Sequence, residues 1–170
     1  MSLTVEDGSV VSGAESYCSV ADADTYHAAF TGSTSWSGAT TARKEIALRR
    51  ATQYLDMTFG GRWKGDRYDD AQALDWPREC VEIDGVLLDP APLPQLLMQA
   101  CAELALRDIT ETAGLLPDDK TGGVAAESTT VDVITTSKTY VGAKETAPRF
   151  AIVDRLVAKL TYSANRAVRQ

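Results

Sequence analysis

Apolar residues recur at helical spacing in four stretches of this chain, and glycine or proline marks the gaps between them. Ser19 reads as a helix cap, with Asp22 three residues on, the spacing at which two side chains satisfy free backbone N–H groups. Val20, Ala23, Tyr26 and Phe30 follow, which predicts a short helix over 20–30 that Gly32 ends. Beyond a Ser/Thr/Gly linker over 31–41 that contains Trp36, the face Ala47/Leu48, Ala51, Tyr54/Leu55 and Phe59 predicts a second helix. Gly60-Gly61 stops it. The third runs from Pro94 to about Ala113 and is the most apolar. Only Gln95, Gln99, Glu103 and Arg107 interrupt it, as a narrow polar strip, so it belongs at the centre of the domain or in a subunit interface. Glu103 and Arg107 read as a surface i,i+4 pair. In the fourth, Pro148 sits near the start and Phe150, Val153, Leu156/Val157 and Leu160 face inward.

The remaining segments follow other rules. Residues 60–94 have no sustained period and are punctuated by Gly65, Pro77, Gly85, Pro90, Pro92 and Pro94, which predicts a long ordered loop with at most one short strand at Val86-Leu87-Leu88. Over 129–141, Val131 and Val133 alternate with polar residues, Thr135–Lys138 can turn, and Thr139-Tyr140-Val141 can return. That pattern predicts a β-hairpin, which is marginal alone and needs the helices or a neighbouring subunit's edge. The expected fold is therefore mainly α: a small bundle of about four helices with a long ordered loop and a hairpin. Residues 1–16 read as an extended N-terminal arm, 17–162 as a single helical domain, and 163–170 as a basic C-terminal tail.

At 170 residues and 44% apolar, the chain suits one ordinary core. No apolar run is long enough to span a bilayer, and the acidic start, with Glu6 and Asp7, is unlike a secretory signal. Cys18, Cys80 and Cys101 are odd in number and widely spaced, against both a disulfide framework and a zinc site, which points to a reduced, intracellular origin. Net charge is −7, unfavourable to nucleic acid and to anionic membranes. Its distribution is uneven. Residues 1–42 hold five acids and no lysine or arginine, whereas 149–170 hold five basic residues against Asp154. These are either two solvated ends or complementary surfaces that join copies head to tail.

Catalytic constellations are not legible. One histidine, His27, permits no paired-histidine metal site, and no nucleophile motif accompanies it. It reads as a packed or surface residue, and Cys101 as a small core hydrophobe. Neither Gly60–Gly65 nor Lys120–Gly123 has the form of a phosphate-binding loop. Asp69-Asp70 and Asp118-Asp119 lack calcium-loop spacing. No enzyme and no cofactor is expected. One region mixes basic and aromatic residues: Arg62, Trp63, Lys64, Arg67, Tyr68, Trp76 and Arg78. It suits a single-strand binder that stacks bases and neutralises phosphates. The plainer reading is favoured: the tryptophans anchor the loop, arginine stems cover them, and Asp66, Asp69, Asp70 and Asp75 cancel much of the positive field.

The ordered set Ser19–Tyr26, Lys44–Asp56, Arg62-Trp63-Lys64-Gly65, Gln72–Arg78 and Ala102–Arg107 resembles a family of tailed-bacteriophage proteins encoded among head and neck genes. They are often labelled DnaT-like single-stranded DNA-binding proteins. That family resembles in turn the small helical head–tail adaptors, or head-completion proteins. The resemblance implies a structural subunit of the virion neck, assembled in the host cytoplasm. There it would form a ring, typically dodecameric, that extends the DNA channel below the portal. The implied partners are the portal protein, a tail or stopper protein, further copies of the chain, and genomic DNA passing without sequence recognition. The alternative is a single-stranded DNA-binding protein. Candidate subunit or portal contacts are Val131, Val133, Tyr140, Arg155, Lys159, Arg166 and Arg169. Candidate loop anchors, or alternative DNA contacts, are Arg62, Trp63, Lys64, Trp76 and Arg78.

Overall fold

The computed structural model describes residues 2–111, 114–115, 126–131, 134–139 and 150–162, the two strand segments by backbone alone. Val133, Tyr140, Arg166, Arg169 and the tail over 163–170 lie outside the described residues. The fold is mainly α, with five helices and short antiparallel strand pairs among the described residues. The chain divides into two compact units, one formed by Met1–Leu115 with Phe150–Gln170 and the other by Leu116–Arg149.

In the first unit, α1 (Val20–Phe30) begins as its sequence dictates, with the Ser19 hydroxyl accepting from the Asp22 N–H. The expected linker holds an additional short helix, α2 (Thr34–Ser37), because Ser33 caps it and Trp36 buries its ring there. Helix α3 (Thr41–Phe59) buries the whole predicted stripe and also Lys44 and Thr52. Helix α4 (Gln95–Thr110) is the centre of the bundle: α1, α2, α3 and α5 (Ala151–Val157) all pack on it. Val153, Val157 and Leu160 close the core from the C-terminal side.

Four further expectations for this unit change. The arm over 1–16 instead closes on itself: Glu6 N donates to Ser16 O at 2.8 Å and Glu15 N to Thr4 O at 2.8 Å. The buried Glu6 carboxylate organises this loop by accepting from the backbone N–H of Gly8, Val10 and Val11 at 2.9–3.0 Å. Phe30, expected on the inner face of α1, is 72% exposed; Ala23 is buried as expected, and His27 turns inward beside it. Glu103 is buried, where a surface pair with Arg107 was expected, and accepts from the Tyr26 hydroxyl at 3.0 Å. The long loop over 60–94 contains two small hairpins, β1 (Asp66–Arg67) with β2 (Arg78–Glu79), and β3 (Glu82–Ile83) with β4 (Val86–Leu87).

In the second unit, β5 (Ala126–Val131) pairs antiparallel with β6 (Ile134–Thr139), Glu127 opposite Lys138 and Val131 opposite Ile134. Thr135–Lys138, where a turn was expected, lie within β6. Thr135 and Thr136 are β-branched and extend the strand, where their polarity alone suggested a turn.

Candidate interaction surfaces

The basic–aromatic segment is built on the C-terminal end of α3. After Phe59 a 3₁₀ turn over Gly60–Arg62 delivers Trp63 into the core, where its ring meets Phe59 at 5.7 Å and Trp76 edge-on at 5.8 Å between centroids. Both tryptophans are buried, so neither has a face to offer a nucleobase. The cations beside them are likewise engaged. Arg78 spreads its guanidinium over three carbonyls, donating to Lys64 O at 2.9 Å, Gly65 O at 2.6 Å and Asp75 O at 3.3 Å. This stitches β2 to the turn before β1. Lys64 Nζ donates to Glu82 O at 3.1 Å, and the Arg62 guanidinium lies 4.9 Å from the Phe59 ring centroid. All five residues proposed as loop anchors or DNA contacts thus come together as one structural brace.

A glycine permits this close approach. Gly65 has φ +68°, and a Cβ there would meet Glu79 O at 2.1 Å. Beneath the brace lies a small polar network. The Tyr17 hydroxyl donates to Asp56 Oδ1, and the backbone N–H groups of Asp75 and Trp76 donate to Asp56 Oδ2 and the Tyr17 hydroxyl. Burial pushes the Asp56 carboxyl up to about 6, against the Tyr17 hydrogen bond, and the nearby Asp75 charge adds to the rise.

The residues proposed as subunit contacts are less gathered. Val131 ends β5. Lys159 Nζ pairs with Asp84 at 2.5 Å, tying the segment after α5 to the β3–β4 turn. Arg155 lies exposed on α5. His27 is a core residue: its Nε2 donates to Ala102 O at 3.1 Å, its Nδ1 meets Thr31 Oγ1 at 3.1 Å, and burial holds its pKa below the usual range. Burial likewise pushes up the Cys18 and Cys101 thiols. Among the described residues, no group of three His, Cys, Asp or Glu side chains is placed to hold a metal ion. No helix among them is long and apolar enough to cross a membrane.

Asp108 and Ile152, which the sequence pattern did not single out, shape the surface around α4. Asp108 is buried on α4 and accepts from Arg43 Nη1 at 2.6 Å and Arg50 Nη1 at 3.3 Å, while its carbonyl accepts from Arg43 Nη2 at 2.6 Å. Its place five residues before the predicted end of an apolar helix was the available signal. Phe30, Arg107 and Ile152 line one groove, and nothing in a one-dimensional pattern brings α1, α4 and α5 to the same place.

A protein-family profile described as "Putative DnaT-like ssDNA binding protein" matches residues 1–170. The chain belongs to that family. Membership spans its whole length, including the residues beyond Arg107, where the quoted runs end. No curated protein and no solved structure matches the chain.

Proposed function

We propose that the chain is a structural subunit that works by assembling: a head-to-tail adaptor of a tailed phage, ringed below the portal and extending the DNA channel. The neck setting rests on the resemblance of the residues quoted above. The observation that carries assembly is the β5–β6 hairpin, a two-stranded sheet with no third strand among the described residues. Its outer backbone groups are unpaired within that sheet, and such a hairpin gains most by joining another strand. The portal protein, a tail or stopper protein and further copies are the partners this reading requires. An acidic protein, net −7, suits a channel wall that lets duplex pass without gripping it.

The second reading is single-stranded DNA binding, and the family's description favours it. Against it, the two tryptophans best suited to stacking are buried, which leaves Tyr68, 50% exposed, as the aromatic of that segment open to solvent. Two measurements separate the readings. The mass of the protein, alone and mixed with a portal ring, should rise to a ring of copies on the portal. Fluorescence anisotropy with labelled oligonucleotides at low and physiological salt should show no tight binding. Tight, salt-dependent binding without portal loading would reverse the order.

A further inference from the structure

The helical unit presents two complementary surfaces at opposite ends of α3. One is a groove of about 670 Å³ between the end of α1, the middle of α4 and the start of α5. Its apolar wall is Phe30 with Ile152, 42% exposed. Its polar wall is Arg107, whose Nε is buried without a hydrogen-bond partner among the described residues, and Glu103, which is occupied by Tyr26. No ion pair holds Arg107 or Arg155 among the described residues. Arg155 follows Ile152 by three residues, so it rises on the same side of α5. The groove therefore offers an apolar wall flanked by two guanidinium groups that no carboxylate among the described residues satisfies.

The other surface is the tip between β1 and β2, where Tyr68, Asp69 and Asp70 are all exposed. Its shape is fixed from below. Asp69 N donates to Gln72 Oε1 at 3.0 Å, Ala71 N to Asp69 Oδ1 at 2.7 Å, and the buried Gln72 donates from Nε2 to Leu74 O at 2.7 Å. An aromatic ring and two carboxylates are thus displayed with little entropy left to lose on binding.

One molecule cannot join its own pair of surfaces. The tip is tethered at the last turns of α3, where Asp75 N reaches Asp56, and the α4 end of the groove lies beside Asp108, which Arg43 holds at the first turn. The thirteen-residue rise from Arg43 to Asp56 along α3 separates these anchor points by about 20 Å.

We infer that the Tyr68–Asp70 tip of one copy seats in the Phe30–Arg107–Ile152–Arg155 groove of a second copy. The carboxylates meet the two guanidinium groups while the Tyr68 ring covers Phe30 and Ile152. Because the two surfaces differ, the contact is heterologous. It propagates head to tail and closes into a ring where the rotation permits. This rests on the assembling reading above and names its contact. A tip of two carboxylates and one ring matches two guanidinium groups beside an apolar wall more closely than a continuous line of phosphates would.

Sedimentation of the full chain from micromolar to millimolar concentration at low salt tests the contact. The natural sequence should self-associate. Asp70→Arg and Arg155→Glu should each weaken association about tenfold or more, and the two changes together should restore it. Both positions are exposed, and unchanged thermal midpoints verify the fold. A chain that stays monomeric throughout, or associates equally well with either single reversal, overturns the inference. So does oligonucleotide binding that Phe30→Ala abolishes without any self-association. Portal loading is read separately: loading that neither reversal alters leaves the adaptor standing without this contact, and loss of loading by the natural sequence removes the adaptor itself.

Discussion

The Tyr17 hydroxyl donates to Asp56 Oδ1 at 2.5 Å, which joins the N-terminal loop to the end of α3 through a carboxyl that burial pushes up to about 6. Arg67 opposes that rise only weakly and Asp75 reinforces it. The sign for stability follows. Unfolded, Asp56 loses its proton near 3.9; folded, it keeps it to about 6. The folded state thus binds the extra proton between those values, and this group's contribution falls as pH rises from about 4 to about 6 and is flat above. Asp56→Asn removes the titration. The difference in unfolding free energy between the variant and the natural protein should move in the variant's favour by about 2–3 kcal/mol across that window. Urea melts at several pH values measure it, and a difference that does not change with pH contradicts the assignment.

Trp63 and Trp76 belong to the core, so their replacement should unfold the protein before it reports on DNA. Trp63→Ala and Trp76→Ala should each cost about 3–5 kcal/mol in urea melts, whereas Tyr68→Ala should stay within about 0.5 kcal/mol. Any test of base stacking therefore belongs at Tyr68.

Gly65→Ala should be severe for so small a change. The added methyl meets a backbone oxygen at 2.1 Å in a left-handed conformation, and relief requires β1 and β2 to part. A loss of about 2–4 kcal/mol is expected, by analogy with other overpacking and backbone-strain changes. Faster amide hydrogen exchange at 66–67 and 78–79 would locate it.

Asp108→Ala should cost about 2–4 kcal/mol, since it strands the Arg43 guanidinium beside a half-closed site. A double-mutant cycle with Arg43→Ala isolates the pair: the two changes together should cost clearly less than the sum of the singles. Strict additivity would mean that the contact contributes nothing.

The helices other than α2 were legible in the sequence, and the reason is local. Ser19 and Asp22 cap α1 through bonds within one turn, and the α3 stripe from Ala47 to Phe59 is buried as its period requires, because one face of a 3.6-residue repeat must find a core. Family likeness was legible for the same reason, in short ordered runs of residues. Tertiary structure decided what a helical period cannot encode. A polar residue on an apolar helix reads as solvated until a partner from elsewhere reaches it. Glu103 found Tyr26, Asp108 found Arg43 and Arg50, and His27 found the Ala102 carbonyl, all across long sequence separations. An aromatic residue on the same period reads as core until helix ends and turns aim it outward, as happened to Phe30. The mixture over 62–78 fitted two functions on paper. Packing resolved its chemistry, because Trp63 and Trp76 gain more by leaving water than by waiting for a ligand, and Arg78 then had three carbonyls to satisfy.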